Sequence, residues 1–306
     1  LMNNVVQVIS TVVRALTAEE DNILVLTPSY GPLINTPTAA KRHVIKVPMT
    51  CESKRYQVDM ASFEQAIIEH DIKIFILCNP QNPTGRVWTH AELTELFKIC
   101  QRHQVKVLAD EIHSDLIYPD QTFVPAMQVA REVGWEQQLV VANAPTKTFN
   151  LAGLQAAYYI VENPEFIELI EQERAYASTG NLLGVFAYLG IETSYSYGED
   201  YVDTMMSYIQ DNYRYVEAEL ARELPEAKIV EAEATYLIWV DISYLAEKGI
   251  TMNNLKSSLA KHGVAISTGE DFYEDQLFLR VNIGCPKATL TEGVARLISG
   301  LKNLSE

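Results

Sequence analysis

QLVVANAPTKTFNLAGLQAAYY, residues Gln138–Tyr159, places one lysine, Lys147, just beyond a short apolar run at Leu139–Ala142. A second apolar run, Ala156–Val161, follows after an interval of small and polar residues. The chain therefore leaves one buried strand, turns, and enters another. A solvated surface lysine is the simplest reading of this window alone. A lysine held at a strand end with a lowered pKa has another use, because its amine can then form a Schiff base. Residues elsewhere in the chain decide between the two.

With 306 residues, the chain is long enough for two domains, each with its own core. Its 48% apolar and 21% charged content is that of an ordinary soluble protein. A net charge of -16 argues against nucleic-acid partners and against anionic membrane surfaces, while leaving room for a local anion pocket. No apolar run reaches the length of a membrane span, and the start has no basic-then-hydrophobic leader. Cys51, Cys78, Cys100 and Cys285 form no CxxC pair, which fits a reduced, cytoplasmic chain better than a disulfide scaffold or zinc site. Cys78, at a strand end, reads as a small core residue. LMNNVVQVISTVVRAL reads as a helix already under way, so a start shortened relative to a longer protein is expected.

Working outward from Lys147, helical spacing is expected over Val5–Leu16, Phe63–His70 and the segment from the capping box at Thr89-His90-Ala91-Glu92 to His103. Apolar strands are expected at Ile23–Leu26, Val44–Val47, Lys73–Cys78 and Val105–Ala109. They are continuous apolar runs rather than alternating ones, which predicts a mostly parallel sheet covered on both faces. After Glu162 the pattern changes. Helices are expected at Asn163–Ala177, Gly180–Gly190 (buried), Glu199–Leu224, Met252–His262 and Leu290–Leu304, with strands at Ala234–Val240 and Phe278–Ile283. The expected architecture is α/β, with a three-layer large domain over residues 1–199 and a smaller α+β domain over residues 200–306.

Three polar clusters fall just past strand ends: Asn79 with Asn82, Asp110 with His113, and Lys147. In open α/β sheets that edge is where ligands bind. A carboxylate buried there needs a cationic partner, and a protonated pyridine nitrogen would serve Asp110 while gaining strength as an electron sink. The simpler alternative makes Asp110 a strand-end cap and Glu111 a surface residue. Asn82 and His113 could hydrogen-bond a phenolate oxygen, and Tyr30 could stack on such a ring or stand as an exposed turn residue. Thr146, with the backbone amides of Val5 and Val6, could hold a phosphate. Arg280 suits a substrate carboxylate, or else a surface ion pair. No GxSxG, GxxxxGK[ST], HExxH or GxGxxG segment is present, and the histidines lack metal-ligand spacing, so no metal site is expected.

Four segments, CNPQNPTGRVW, ADEIHSDLIY, NAPTKTFNLAGLQ and FLRVNIGCP, resemble the signature segments of fold-type I pyridoxal-phosphate enzymes, the aminotransferase superfamily. The Trp after NPQNPTGRV, the His of DEIH and the KTFNLAGLQ run resemble its cystathionine beta-lyase branch, the MalY/PatB-like carbon–sulfur lyases. The match in order and spacing runs from about Val5 to Leu297. The resemblance implies an aspartate-aminotransferase-like fold, pyridoxal 5'-phosphate as cofactor, and a homodimer with sites at the subunit interface. Carried over by position, Lys147 is the Schiff-base lysine, Asp110 the partner of the pyridine nitrogen, and Asn82 and His113 neighbours of the ring hydroxyl. Tyr30 is the stacking aromatic and Arg280 the carboxylate-binding arginine. Tyr30 and Asn82 also border the substrate. The implied reaction is α,β-elimination from cystathionine or another cysteine S-conjugate, giving a thiol, pyruvate and ammonia. An aminotransferase using the same residues, or a catalytically weak regulatory homologue, are the alternatives. Two departures bear on the phosphate site: Asn3-Asn4 stands where the family has a glycine-containing loop, and Ala144 where it commonly has a serine. A weaker phosphate grip is the expectation from both.

Overall fold

The computed structural model describes residues 1–178 and 183–305. In chain order its elements begin with α1 (Val5–Leu16), β1 (Asn22–Thr27), α2 (Pro32–Ala39), β2 (His43–Pro48) and a hairpin of β3 (Thr50–Glu52) and β4 (Arg55–Gln57). There follow α3 (Met60–Glu69), β5 (Ile72–Cys78), α4 (His90–Arg102), β6 (Lys106–Asp110), α5 (Ala126–Val133) and β7 (Leu139–Asn143). A single turn, α6 (Pro145–Thr148), then leads to β8 (Tyr158–Val161), α7 (Pro164–Tyr176), α8 (Val185–Tyr197) and α9 (Glu199–Glu223). The remainder is β9 (Lys228–Ile229), β10 (Leu237–Asp241), α10 (Tyr244–Glu247), α11 (Met252–Lys261), β11 (Ser267–Thr268), β12 (Phe278–Asn282) and α12 (Lys287–Ser305).

The large sheet has the order β2-β1-β5-β6-β7-β8, parallel throughout except for β8, which runs antiparallel to β7. Successive residues of its strands alternate between two cores. Ile23, Val25, Ile74, Ile76, Leu108 and Val140 pack with α1, α2 and α7, whereas Leu24, Leu26, Phe75, Leu77, Val107 and Val141 pack with α3, α4 and α5. Both faces are thus apolar, which explains why the strands read as unbroken runs. The expected three-layer α/β arrangement is present.

The second sheet, β11-β12-β10-β9, is antiparallel. One face packs Ile238, Val240, Leu279 and Val281 against α9, α11 and α12. From the other face Trp239 and Phe278, stacked with ring centres 5.0 Å apart, enter the core of the large sheet. This placement sets β12 opposite the carboxyl ends of the large sheet.

Two expectations change. The helix expected as buried at Gly180–Gly190 falls partly on positions 179–182, outside the described residues. Within the described part, α8 is displaced toward the carboxyl end and is exposed, with Val185 72%, Phe186 75% and Tyr197 83% accessible. Its apolar residues surround the helix instead of forming one stripe, so composition alone could not tell a core helix from an exposed one. Lys147 sits on the one-turn helix α6 rather than in a loop, with Pro145 starting the turn.

Candidate active site

The strand ends set the geometry. Cys78 is in register with Asp110, and Asp110 with Ala142, so β5, β6 and β7 end side by side. The ladder runs one residue further through Asn79 N–H to Asp110 C=O and Glu111 N–H to Ala142 C=O, both 2.9 Å. Beyond β5, the turn carrying Asn82 is braced from beneath. Trp88 Nε1 donates to Cys78 C=O at 2.8 Å, and fully buried Arg86 lies 3.9 Å over the Trp88 ring. Arg86 also donates to Tyr56 C=O at 2.8 Å and to Glu92 Oε2 at 2.6 Å. Burial is the largest single influence and would push Glu92 up, but Arg86 and the Thr89 hydrogen bonds together hold the carboxyl at about 2. The Arg and Trp of NPTGRVW are therefore scaffold for the turn.

Asp110 is 4% exposed, and its Oδ1 accepts a 3.2 Å bond from the Ile112 amide. Burial pushes its pKa up to about 6, against the opposing pull of that amide and of Lys147. Glu111 is buried too, contrary to the surface reading. It accepts from the Ala126 amide at 2.7 Å and from Asn79 Nδ2 at 3.1 Å, and burial carries it to about 7. Asn79, which also donates to Val124 C=O, is a brace and does not line the cleft. His113 is driven down to about 3 by burial, with Lys147 and Arg280 adding to the effect, so its ring is neutral. Its Nδ1 is buried without a partner. The loop after Asp110 also positions α6: Asn143 Nδ2 donates to Ser114 Oγ at 3.0 Å, and Thr148 Oγ1 to Asp115 Oδ2 at 2.8 Å.

Arg280 approaches from β12. Its Nη1 donates to Asn82 Oδ1 at 3.1 Å, and its guanidinium lies 4.5 Å from the Phe272 ring centre. It forms no ion pair among the described residues, and burial lowers its pKa. Because Asn82 Oδ1 is engaged, Asn82 Nδ2 is left as a donor. At the far end, Asn4 caps α1 by accepting from the Gln7 amide at 2.8 Å. The Val5 and Val6 amides, among the first-turn donors that a helix cannot satisfy internally, border the cleft.

All nine expected residues line one cleft of about 600 Å³: Val5, Val6, Tyr30, Asn82, Asp110, His113, Thr146, Lys147 and Arg280. Tyr236, Asn282, Gln155 and Asn3 also line it. Sequence reasoning gave Tyr236 and Asn282 no part: Tyr236 precedes β10 and lies in no signature segment, and Asn282, although inside FLRVNIGCP, was passed over for Arg280. Asn4 is extended at φ -158°, a conformation open to any residue, so the missing glycine costs no backbone strain. Ala144 is fully buried in the core and does not line the cleft. A separate recess of about 500 Å³ under the β3–β4 hairpin contains none of these groups.

The cleft offers a helix-terminal anion seat with the Thr146 hydroxyl, an amine, neutral polar groups, and a buried carboxylate and a guanidinium that form no ion pair among the described residues. That donor set fits an aromatic ring with a basic nitrogen, a phosphate arm and an aldehyde: pyridoxal phosphate. Fold and donor set together define a fold-type I pyridoxal-phosphate enzyme.

The chain belongs to the family of class I and II aminotransferases, whose profile matches residues 2–297. Among curated relatives, cystathionine beta-lyase PatB of Bacillus subtilis is 33% identical over 97% of this chain and 76% of its own length. Protein MalY of Escherichia coli is 30% identical over 98% of this chain and 75% of its own length. The solved pyridoxal-phosphate-bound C–S lyase of Staphylococcus hominis aligns at TM-score 0.90 and 28% identity, covering 99% of this chain and 77% of that one. Similarity thus places the chain beside the carbon–sulfur lyase branch.

Proposed function

We propose that this chain is a pyridoxal-phosphate-dependent cysteine-S-conjugate beta-lyase, taking cystathionine or a related conjugate to a thiol, pyruvate and ammonia. The observation that carries the reading is the convergence of Lys147, the cation-poor carboxylate of Asp110 and the unpaired Arg280 in one cleft. The named lyases among its relatives support the reaction class.

When bound, pyridoxal phosphate supplies an electron sink for the charge left when a Cα proton is removed. The chain's own residues supply the rest. Lys147 would be the amine that anchors the cofactor and the base that takes the Cα proton of the substrate. Asp110 holds a positive charge on the ring nitrogen, which compensates its own burial. Asn82 Nδ2 and neutral His113 would hydrogen-bond the ring hydroxyl of the bound cofactor, and Tyr30 would stack on its ring. Thr146 and the Val5 and Val6 amides grip the phosphate. Arg280, steadied by Asn82 and Phe272, takes the substrate carboxylate and so fixes Cα beside Lys147. The Cβ–S bond then breaks, and the sulfur leaves as a thiol.

Incubation of the holoenzyme with L-cystathionine in the absence of a keto acid tests this reading. Pyruvate and homocysteine should appear, and Lys147→Ala should release neither. Amino exchange that requires a keto acid, with no pyruvate, would sink it. We further propose two domains dividing near residues 199 and 200, supported by the packing of Met206, Ile209, Val216 and Leu220 of α9 into the second core. A cytoplasmic homodimer is part of the same proposal. The exposed apolar residues of α8 support the dimer, and the unpaired cysteines are compatible with a reducing compartment. Among the described residues no helix is long and apolar enough to cross a membrane.

A further inference from the structure

Next to the cleft, α9 borders a second chamber of about 330 Å³. Lys147, Tyr236 and Asn282 line both spaces, so the chamber opens at the reactive amine. Its outer wall is Tyr201, Met205 and Tyr208, and apart from Lys147 none of the described lining residues carries a charge. The walls are fixed by their neighbours. Tyr201 stacks on Phe149 with ring centres 6.1 Å apart at 28°, and the Tyr208 hydroxyl accepts a 2.7 Å bond from the Lys287 amide. Buried Asn212 donates to the carbonyls of Ile283 and Cys285 at 2.9 and 3.1 Å, tying the opposite wall to α9. Tyr201 and Tyr208 are nonetheless 47% and 44% exposed, an aromatic surface left for something to cover.

We propose that this chamber receives the sulfur substituent of the substrate, and that the chain favours conjugates whose departing thiol is apolar or aromatic over cystathionine. The inference rests on the lyase reading. With the carboxylate held by Arg280 and Cα beside Lys147, the side chain extends past Tyr236 into the chamber. Cystathionine would carry an ammonium and a carboxylate into walls whose one charged group among the described residues is the Lys147 amine, which the reaction itself requires. A benzyl or alkyl group there would instead cover Tyr201, Met205 and Tyr208. The reaction balances with water alone: the conjugate and one water give RSH, pyruvate and ammonium, with the Cα proton removed and the Cβ–S electron pair leaving on sulfur.

The test compares kcat/KM for pyruvate release from S-benzyl-L-cysteine and L-cystathionine by the holoenzyme. About tenfold or more in favour of the benzyl conjugate is expected. Met205→Arg supplies a counter-ion and should bring that ratio below one, whereas Met205→Leu should keep it. Calorimetry with benzyl methyl sulfide, which has no amino group to react, reads the chamber without turnover. Saturable binding to the wild type and to Met205→Leu, lost in Met205→Arg, is expected. Equal kcat/KM for the two conjugates, or an unchanged ratio in Met205→Arg, overturns the inference and leaves the lyase reading standing. No pyruvate from either conjugate while the sulfide still binds overturns the lyase reading and keeps the chamber as an apolar site.

Discussion

Asp110 is a residue at which stability and chemistry pull in opposite directions. In the cofactor-free chain its pKa is about 6, above the ordinary 3.8. The folded state therefore holds this proton more tightly than the unfolded state, and stability is lost as pH rises from about 4 through 6. Asp110→Asn should remove that loss, making the cofactor-free variant more stable than wild type at pH 7.5 by roughly 2–3 kcal/mol. Urea unfolding of both proteins at pH 4.5 and pH 7.5 checks the sign, since the gap should shrink to about a third at the lower pH. His113 contributes oppositely, its share growing between about pH 3 and 6.5, but it is common to both proteins and largely cancels. The same variant should release pyruvate on the order of 100-fold more slowly, because it cannot hold a ring-nitrogen charge. Glu111 gives a second, purely structural case. Glu111→Gln retains the carbonyl oxygen that accepts from Asn79 and Ala126, so it should gain stability above pH 7 while leaving kcat within about twofold.

At the scale of elements, the turn after β5 owes its shape to groups that touch no ligand. Trp88→Phe removes the donor to Cys78 C=O and weakens the stack under Arg86. A loss of about 1–2 kcal/mol in urea unfolding is expected. KM should rise more than kcat falls, because the turn carries Asn82, which steadies Arg280. Thr89→Ala, which removes the capping box of α4, should cost about 1 kcal/mol with unaltered kinetics. A fall in kcat for Thr89→Ala equal to that for Trp88→Phe would mean that the turn is not what positions Asn82. The strands and most helices were legible because each obeys a local rule, such as the apolar runs of β5 and β6 or the Thr89–Glu92 box. The helix α2 was missed because Pro37 lies inside it and its apolar stripe is weak. The helix α5 is short, with no polar cap at Pro125. Burial was least legible, as Glu111 and α8 show, because it depends on what packs across from a residue and not on its neighbours in sequence.

For the whole molecule, the same distinction separates motif residues from the rest of the site. Lys147, Asp110 and Asn82 lie at or just past the ends of strands of one sheet and could be aligned by topology alone. Tyr236 and Asn282 reach the cleft only because the second sheet docks face-on, which no local pattern records. The exposed face of α8 belongs to this scale as well. Phe186→Asp should shift sedimentation from dimer to monomer while leaving the fold intact by circular dichroism. A dimer that survives Phe186→Asp together with Val185→Asp would remove α8 from the interface.

The seating of Trp239 and Phe278 in the core of the large sheet has a consequence for the order of assembly. The cleft joins segments as distant as Val5 and Arg280, and its last wall arrives only with that seating. Such long-range closure is slow compared with forming α1 or α12. In refolding from urea, far-ultraviolet dichroism should recover first, indole fluorescence next, and cofactor absorbance last. The colour of the protein would then act as a clock for its final folding step.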